Sequence, residues 1–140
     1  MNNDETAVSG LKLFAGVAAG GAIGAVARYG IGLWLNPGQM PAFPLGTLAA
    51  NVLGCFLLGA LLSYASVRGM PPFWKETVGT GMIGSFTTFS AFGMETFGLL
   101  RSGYAALALL YAALSVALGY AAARAGMTIG RSARKGGRSR

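Results

Sequence analysis

From Gly84 to Phe92 the chain reads GSFTTFSAF, placing the hydroxyls of Ser85, Thr87, Thr88 and Ser90 among Phe86, Phe89 and Phe92. Hydroxyl groups turn their protons toward whatever needs them. Phenyl rings present a positive edge because of their quadrupole, so Phe89 and Phe92 can face an anion edge-on. Gly79 and Gly81 before the run, with Gly84 at its start, favour a helix that loosens there, and carbonyls freed from a helix ladder commonly bind a cation. Asn51, at the centre of another apolar segment, either hydrogen-bonds a neighbouring helix or offers its amide N–H pair to an anion. Tyr111 and Ser115, four apart, share one helix face and extend a polar lane or bond only their own backbone. Phe89 and Phe92, three apart, also share a face, as core residues commonly do.

Other chemistry is excluded by what is missing. The chain has no histidine, which removes Ser–His nucleophiles and most zinc sites. Its acids are Asp4, Glu5, Glu76 and Glu95, and only Glu95 falls inside an apolar segment, so no paired-carboxylate site forms in the membrane. Cys55 is the single cysteine, without an intrachain disulfide partner. With no nucleophile–base pair, the chain reads as a non-enzyme.

These residues must be positioned by membrane helices. The 140 residues, one domain's worth, are 54% hydrophobic and 11% charged, against about 25% charged in an average soluble domain. Apolar segments run about Leu11–Leu35, Phe43–Val67, Val78–Leu100 and Tyr104–Ala125. Each has the ~20 residues a helix needs to cross the hydrocarbon, where every backbone group must be bonded internally. The fold expected is all-α, with four transmembrane helices and the third one broken. Residues 1–10 are expected to be disordered, 11–126 to form the helical domain, and 127–140 to be a basic tail. Arg131, Arg134, Lys135, Arg138 and Arg140 in that tail supply much of the net charge of +7; after a span they read as an anchor to anionic lipid rather than a nucleic-acid site.

Gly16, Gly20 and Gly24 form a smooth stripe for helix packing, in line with Arg28. A guanidinium within a span costs roughly 2.5–3.5 kcal/mol on insertion scales, so Arg28 snorkels to the interface, holds structure or attracts anions. Pro37, Pro41 and Pro44 break the first loop, and Met70-Pro71-Pro72 breaks the chain before the third segment. Gly79, Gly81 and Gly84 also satisfy G-x-G-x-x-G, but no strand precedes them and no acid follows at ~20 residues, so the dinucleotide reading fails.

Taken together, GAVARYG around Arg28, GTLAANVLGCFLLG around Asn51 and GMIGSFTTFSAFGMET from Gly81 to Thr96 resemble the bacterial fluoride channels of the Fluc (CrcB) family. The resemblance covers all four spans in order. It implies an antiparallel, dual-topology homodimer in the bacterial inner membrane, with two fluoride pores and a central structural sodium ion. By position, Asn51, Phe89, Phe92, Thr88, Ser90, Tyr111 and Ser115 match pore residues, and Arg28 and Glu95 match residues near a pore mouth. Gly84 and Thr87 match the positions whose carbonyls hold the sodium. Ser85, Phe86, Ala91 and Gly119 depart from the family's usual residues. The implied function is passive export of fluoride that entered as uncharged hydrogen fluoride.

Lys12, Arg68, Lys75, Arg124 and the tail fall on one side of the membrane, with Arg101 and Arg28 toward the other, a bias that favours one orientation. Either that bias is overridden in a homodimer, the favoured reading, or the subunit pairs with an oppositely oriented paralogue. The main rival function is a small proton-coupled multidrug antiporter working through Glu95. A second is a non-transporting scaffold in which every polar residue is packing glue.

Overall fold

The structure, a computed structural model, describes residues 3–36 and 43–132, with side chains from Ser9 onward. The described residues are all helix and turn, with no strand among them. In chain order they form α1 (Asn3–Leu35), α2 (Leu45–Arg68), α3 (Pro72–Lys75), a π-helical segment (Glu76–Ile83), α4 (Gly84–Phe86), α5 (Phe89–Arg101) and α6 (Ala105–Ser132).

Among the described residues three helices are long and apolar enough to cross a membrane: Ser9–Leu35, Leu45–Arg68 and Ala105–Ser132, with mean hydropathies of 1.6, 2.0 and 1.9. Their large side chains face outward; Phe14 is 76% exposed, Trp34 79% and Leu109 71%. Water would penalise that much apolar surface at about 25 cal/mol per Å², whereas lipid does not. The chain is a multi-pass membrane protein.

The ends of these helices follow local chemistry. The Asn36 side-chain oxygen accepts the Gly46 N–H at 3.1 Å, satisfying one of the unpartnered donors at the start of α2. Gly69, at φ +72°, closes α2 in a left-handed turn and donates to Ala65. Pro71 follows, and Pro72 occupies the first turn of α3, where a missing N–H costs nothing.

Packing runs along glycine seams. A side chain at Gly24 would collide with the Met82 carbonyl, and one at Gly16 with Phe73 and Thr77, so α1 lies almost backbone-to-backbone on the π-helical segment. On the other side, Gly59 meets Ala123 while Gly126 and Gly130 meet the carbonyls of Phe56 and Ala60, joining α2 to α6. A small core of Leu48, Leu99, Ala108 and Tyr111, flanked by Phe43 and Phe92, ties α2, α5 and α6 together.

Several boundaries differ from those read in the sequence. Helix α1 begins at Asn3, inside the segment expected to be disordered, and α6 passes 126 to end at Ser132. A helix once begun adds a hydrogen bond per residue, so polar flanks extend it beyond its apolar stretch. The third apolar segment starts earlier than Val78, at Pro72, and runs on as a series of helical pieces. Pro37 and Pro41 of the first loop, and Arg134, Lys135, Arg138 and Arg140 of the tail, lie outside the described residues.

Candidate functional site

The helical run from Pro72 stops at Phe86. Thr87 (φ −82°, ψ 157°) and Thr88 (φ −151°, ψ 128°) are extended, and α5 starts at Phe89. Two extended residues interrupt the hydrogen-bond ladder, so carbonyls before the interruption and amides after it need other partners. Thr88 caps α5, its hydroxyl accepting the Ala91 N–H at 3.2 Å and lying 3.1 Å from the Ser90 hydroxyl. The Thr87 hydroxyl turns back on the carbonyls of Ile83 and Gly84, both at 3.2 Å.

Two neighbouring helices hold the interruption. From α2, Asn51 accepts the Thr88 N–H at 2.7 Å and donates its own amide to the Thr88 carbonyl at 2.9 Å. From α1, Arg28 Nε donates to the Ser85 carbonyl at 3.2 Å. Gly54 makes room beside Asn51: a side chain there would strike the Thr87 methyl group.

A cavity of about 450 Å³ opens against this interruption, lined by Asn51, Gly54, Cys55, Leu58, Gly84, Thr87, Thr88, Phe89, Phe92, Ser115 and Val116. Its lining carries amide, hydroxyl, thiol and aromatic groups and no charged side chain. The Ser115 hydroxyl is buried at this wall and has no hydrogen-bond partner among the described residues. Phe89 is 84% exposed, with its ring centroid 5.8 Å from that of Phe92.

A second cavity of about 290 Å³ contains the two charges, lined by Arg28, Asn36, Gly46, Thr47, Ala91 and Glu95 among others. The charges do not pair. Glu95 Oε1 accepts from the Thr47 hydroxyl and Oε2 from the Tyr111 hydroxyl, each at 2.7 Å. Tyr111, fully buried, packs tilted on Phe92 at 5.1 Å and edge-on to Phe43 at 5.6 Å. One aromatic stack therefore leads from the first cavity to the carboxylate in the second.

Of the residues singled out in the sequence, Asn51, Gly84, Thr87, Thr88, Phe89, Phe92 and Ser115 share the first cavity, and Arg28 and Glu95 share the second. Ser90 and Tyr111 line neither; Ser90 is exposed beside Thr88, and Tyr111 lies in the core. Asn51 acts first as the interhelical bond of the plainer reading, with one amide N–H left over. Sequence reasoning passed over Thr47 and gave Gly54 no role beyond flanking Asn51. Their signals were weak, a lone threonine and one glycine among many, because only tertiary packing brings Thr47 to Glu95 and Gly54 to Thr87.

The architecture defines a small all-helical, multi-pass membrane protein whose polar groups gather where a helix is interrupted. The family model described as "CrcB-like protein, Camphor Resistance (CrcB)" matches residues 15–127, and the chain belongs to that family. It is 50% identical over 109 residues to "Fluoride-specific ion channel FluC 2" of Symbiobacterium thermophilum, covering 77% of this chain and 89% of the relative. It is 49% identical over 115 residues to "Fluoride-specific ion channel FluC" of Deinococcus radiodurans, covering 81% and 91%. The protein of the same name from Acidobacterium capsulatum is 44% identical over 115 residues, covering 81% and 92%.

Proposed function

We propose that the protein is a fluoride-selective channel, not an enzyme, passing fluoride out of the cytoplasm by electrodiffusion through the bacterial inner membrane. The observation that carries this is the uncharged polar cavity beside Thr87–Thr88, together with relatives named fluoride-specific channels. Fluoride is small and strongly hydrated, so a path must replace its water with donors. The remaining Asn51 N–H, the Ser115 and Thr88 hydroxyls and the edges of Phe89 and Phe92 supply them without a full charge. Conduction needs that balance, since a site must be good enough to enter and weak enough to leave. An interior-negative potential then contributes ~2.3 kcal/mol per charge per 100 mV toward export.

The interruption is read as the break of a third membrane-crossing helix. Irregular backbone at membrane depth is tolerated where it is buried in protein or lines a wet cavity. A structural sodium ion fits its chemistry: Gly84 and Thr87 offer carbonyls at the negative end of a helix. Among the described residues no cluster of three or more His, Cys, Asp or Glu side chains competes for a metal. A carbonyl has two lone pairs, so the Thr87 hydroxyl leaves the Gly84 oxygen able to accept again. When bound, the ion adds fixed positive charge beside the anion path. Two carbonyls are too few to hold a hard cation, and an antiparallel second copy of the chain would double them. The multidrug antiporter is disfavoured because both Glu95 oxygens already accept hydroxyl protons.

Purified protein in liposomes loaded with fluoride or chloride tests the proposal, with efflux followed by an ion-selective electrode. The expected result is fast fluoride release, little chloride release, and loss of at least tenfold in rate with Phe89→Ile or Asn51→Ala. Chloride leaving as fast as fluoride would overturn the assignment.

A further inference from the structure

Arg28 stands on α1 one turn beyond Gly24, where the two backbones come so close that a side chain at Gly24 would strike the Met82 carbonyl. From there its Nε reaches the Ser85 carbonyl at 3.2 Å. In an unbroken helix that carbonyl would accept the Phe89 N–H, four residues on; with Thr87 and Thr88 extended it cannot. It is thus an orphan acceptor at the negative end of the Pro72–Phe86 run, and a cationic donor is well suited to it. Asn51 holds the Thr88 side of the interruption and Arg28 the Ser85 side. Glu95 does not claim the guanidinium, although both line one cavity.

We propose that Arg28 is a positioning residue for conduction: its Nε–Ser85 bond fixes the angle at which the helix ends and so keeps Gly84, Thr87 and Thr88 in register with the cavity. This rests on the fluoride-channel reading. The bond, rather than the positive charge alone, is the working part, and the two can be separated. Glutamine places its amide nitrogen the same number of bonds from the backbone as Nε, so Arg28→Gln keeps a donor and removes the charge. Arg28→Met removes both at similar length, and Arg28→Lys keeps the charge while replacing the planar donor.

The variants are reconstituted for fluoride efflux, and amide hydrogen exchange across residues 83–92 is measured in detergent on the same preparations. Arg28→Gln is expected to stay within about fivefold of the wild-type rate with unchanged exchange. Arg28→Met is expected to slow efflux by about twentyfold or more and to speed exchange at Thr87 and Thr88, while eluting as the wild type does. Arg28→Gln as slow as Arg28→Met, with Arg28→Lys at the wild-type rate, would overturn the proposal in favour of charge alone. Arg28→Met matching the wild type in both readouts would also overturn it. If the wild type passes no fluoride, the channel reading fails separately, and exchange decides the clamp: acceleration in Arg28→Met but not Arg28→Gln supports it, and equal exchange refutes it.

Discussion

Glu95 lines the smaller cavity beside Arg28, and its two oxygens are satisfied from two different helices, by Thr47 on α2 and Tyr111 on α6. Hydrogen bonds to a charged group contribute about 1.5–3 kcal/mol, against about 0.5–1.5 for neutral pairs. Tyr111→Phe keeps the ring that packs on Phe92 and Phe43 and deletes only the hydroxyl, leaving Oε2 without its donor. It is expected to lower stability by about 1–3 kcal/mol in detergent denaturation. Thr47→Val, which removes the other donor, is expected to do the same, and the double variant to lose less or more than the sum because both act on one carboxylate. An additive pair would show that the two hydroxyls do not share Glu95. At this scale the sequence revealed residue types but not partners. Asn51 stood out because an amide in an apolar segment is costly unless bonded. Nothing along the chain could say that Thr88, thirty-seven positions on, would take both ends of that amide.

Elements meet here through missing side chains. At Gly126 a methyl group would run into the Phe56 carbonyl, a backbone atom that cannot move without separating α2 from α6. At Gly30 the same methyl would meet nothing within 4 Å. Alanine is the better helix former by about 1 kcal/mol, so the two substitutions should move stability in opposite directions. Gly126→Ala is expected to lower the unfolding midpoint in detergent clearly, and Gly30→Ala to leave it unchanged or raise it. Equal effects would mean that the α2–α6 seam is not a close-packed contact. The Gly16, Gly20, Gly24 stripe was legible because its spacing repeats along one face. The α6 seam has the same small-residue spacing between Gly126 and Gly130 but is masked by the alanines around it. The long apolar helices were legible from hydropathy, which measures preference for lipid over water. The course of the third segment was only partly so, because the π-helical stretch and the extended pair Thr87–Thr88 depend on contacts with α1 and α2.

The molecule as a whole leaves its polar site against an outward face. Phe89 and Val116, both on the wall of the larger cavity, are 84% and 72% exposed, so the wall continues onto the surface rather than closing over it. A path for a hydrated anion cannot run along lipid, where unbonded polar groups cost several kcal/mol each. The antiparallel second copy proposed above would cover this face. The charges argue against that arrangement, because Lys12, Lys75 and Arg131 lie toward one end while Arg101 lies at the other. The two arguments give different outcomes for a label at the Arg101 end. Ser102 is exposed in the turn between α5 and α6, and Cys55 is the single native cysteine. In a Cys55→Ala background, Ser102→Cys on intact cells treated with a membrane-impermeant maleimide should label about half the chains if subunits insert both ways. The other half should label only after the membrane is opened. Labelling of nearly all or nearly none from outside would mean that the charge bias sets one orientation, and that an oppositely inserted partner of different sequence must complete the site.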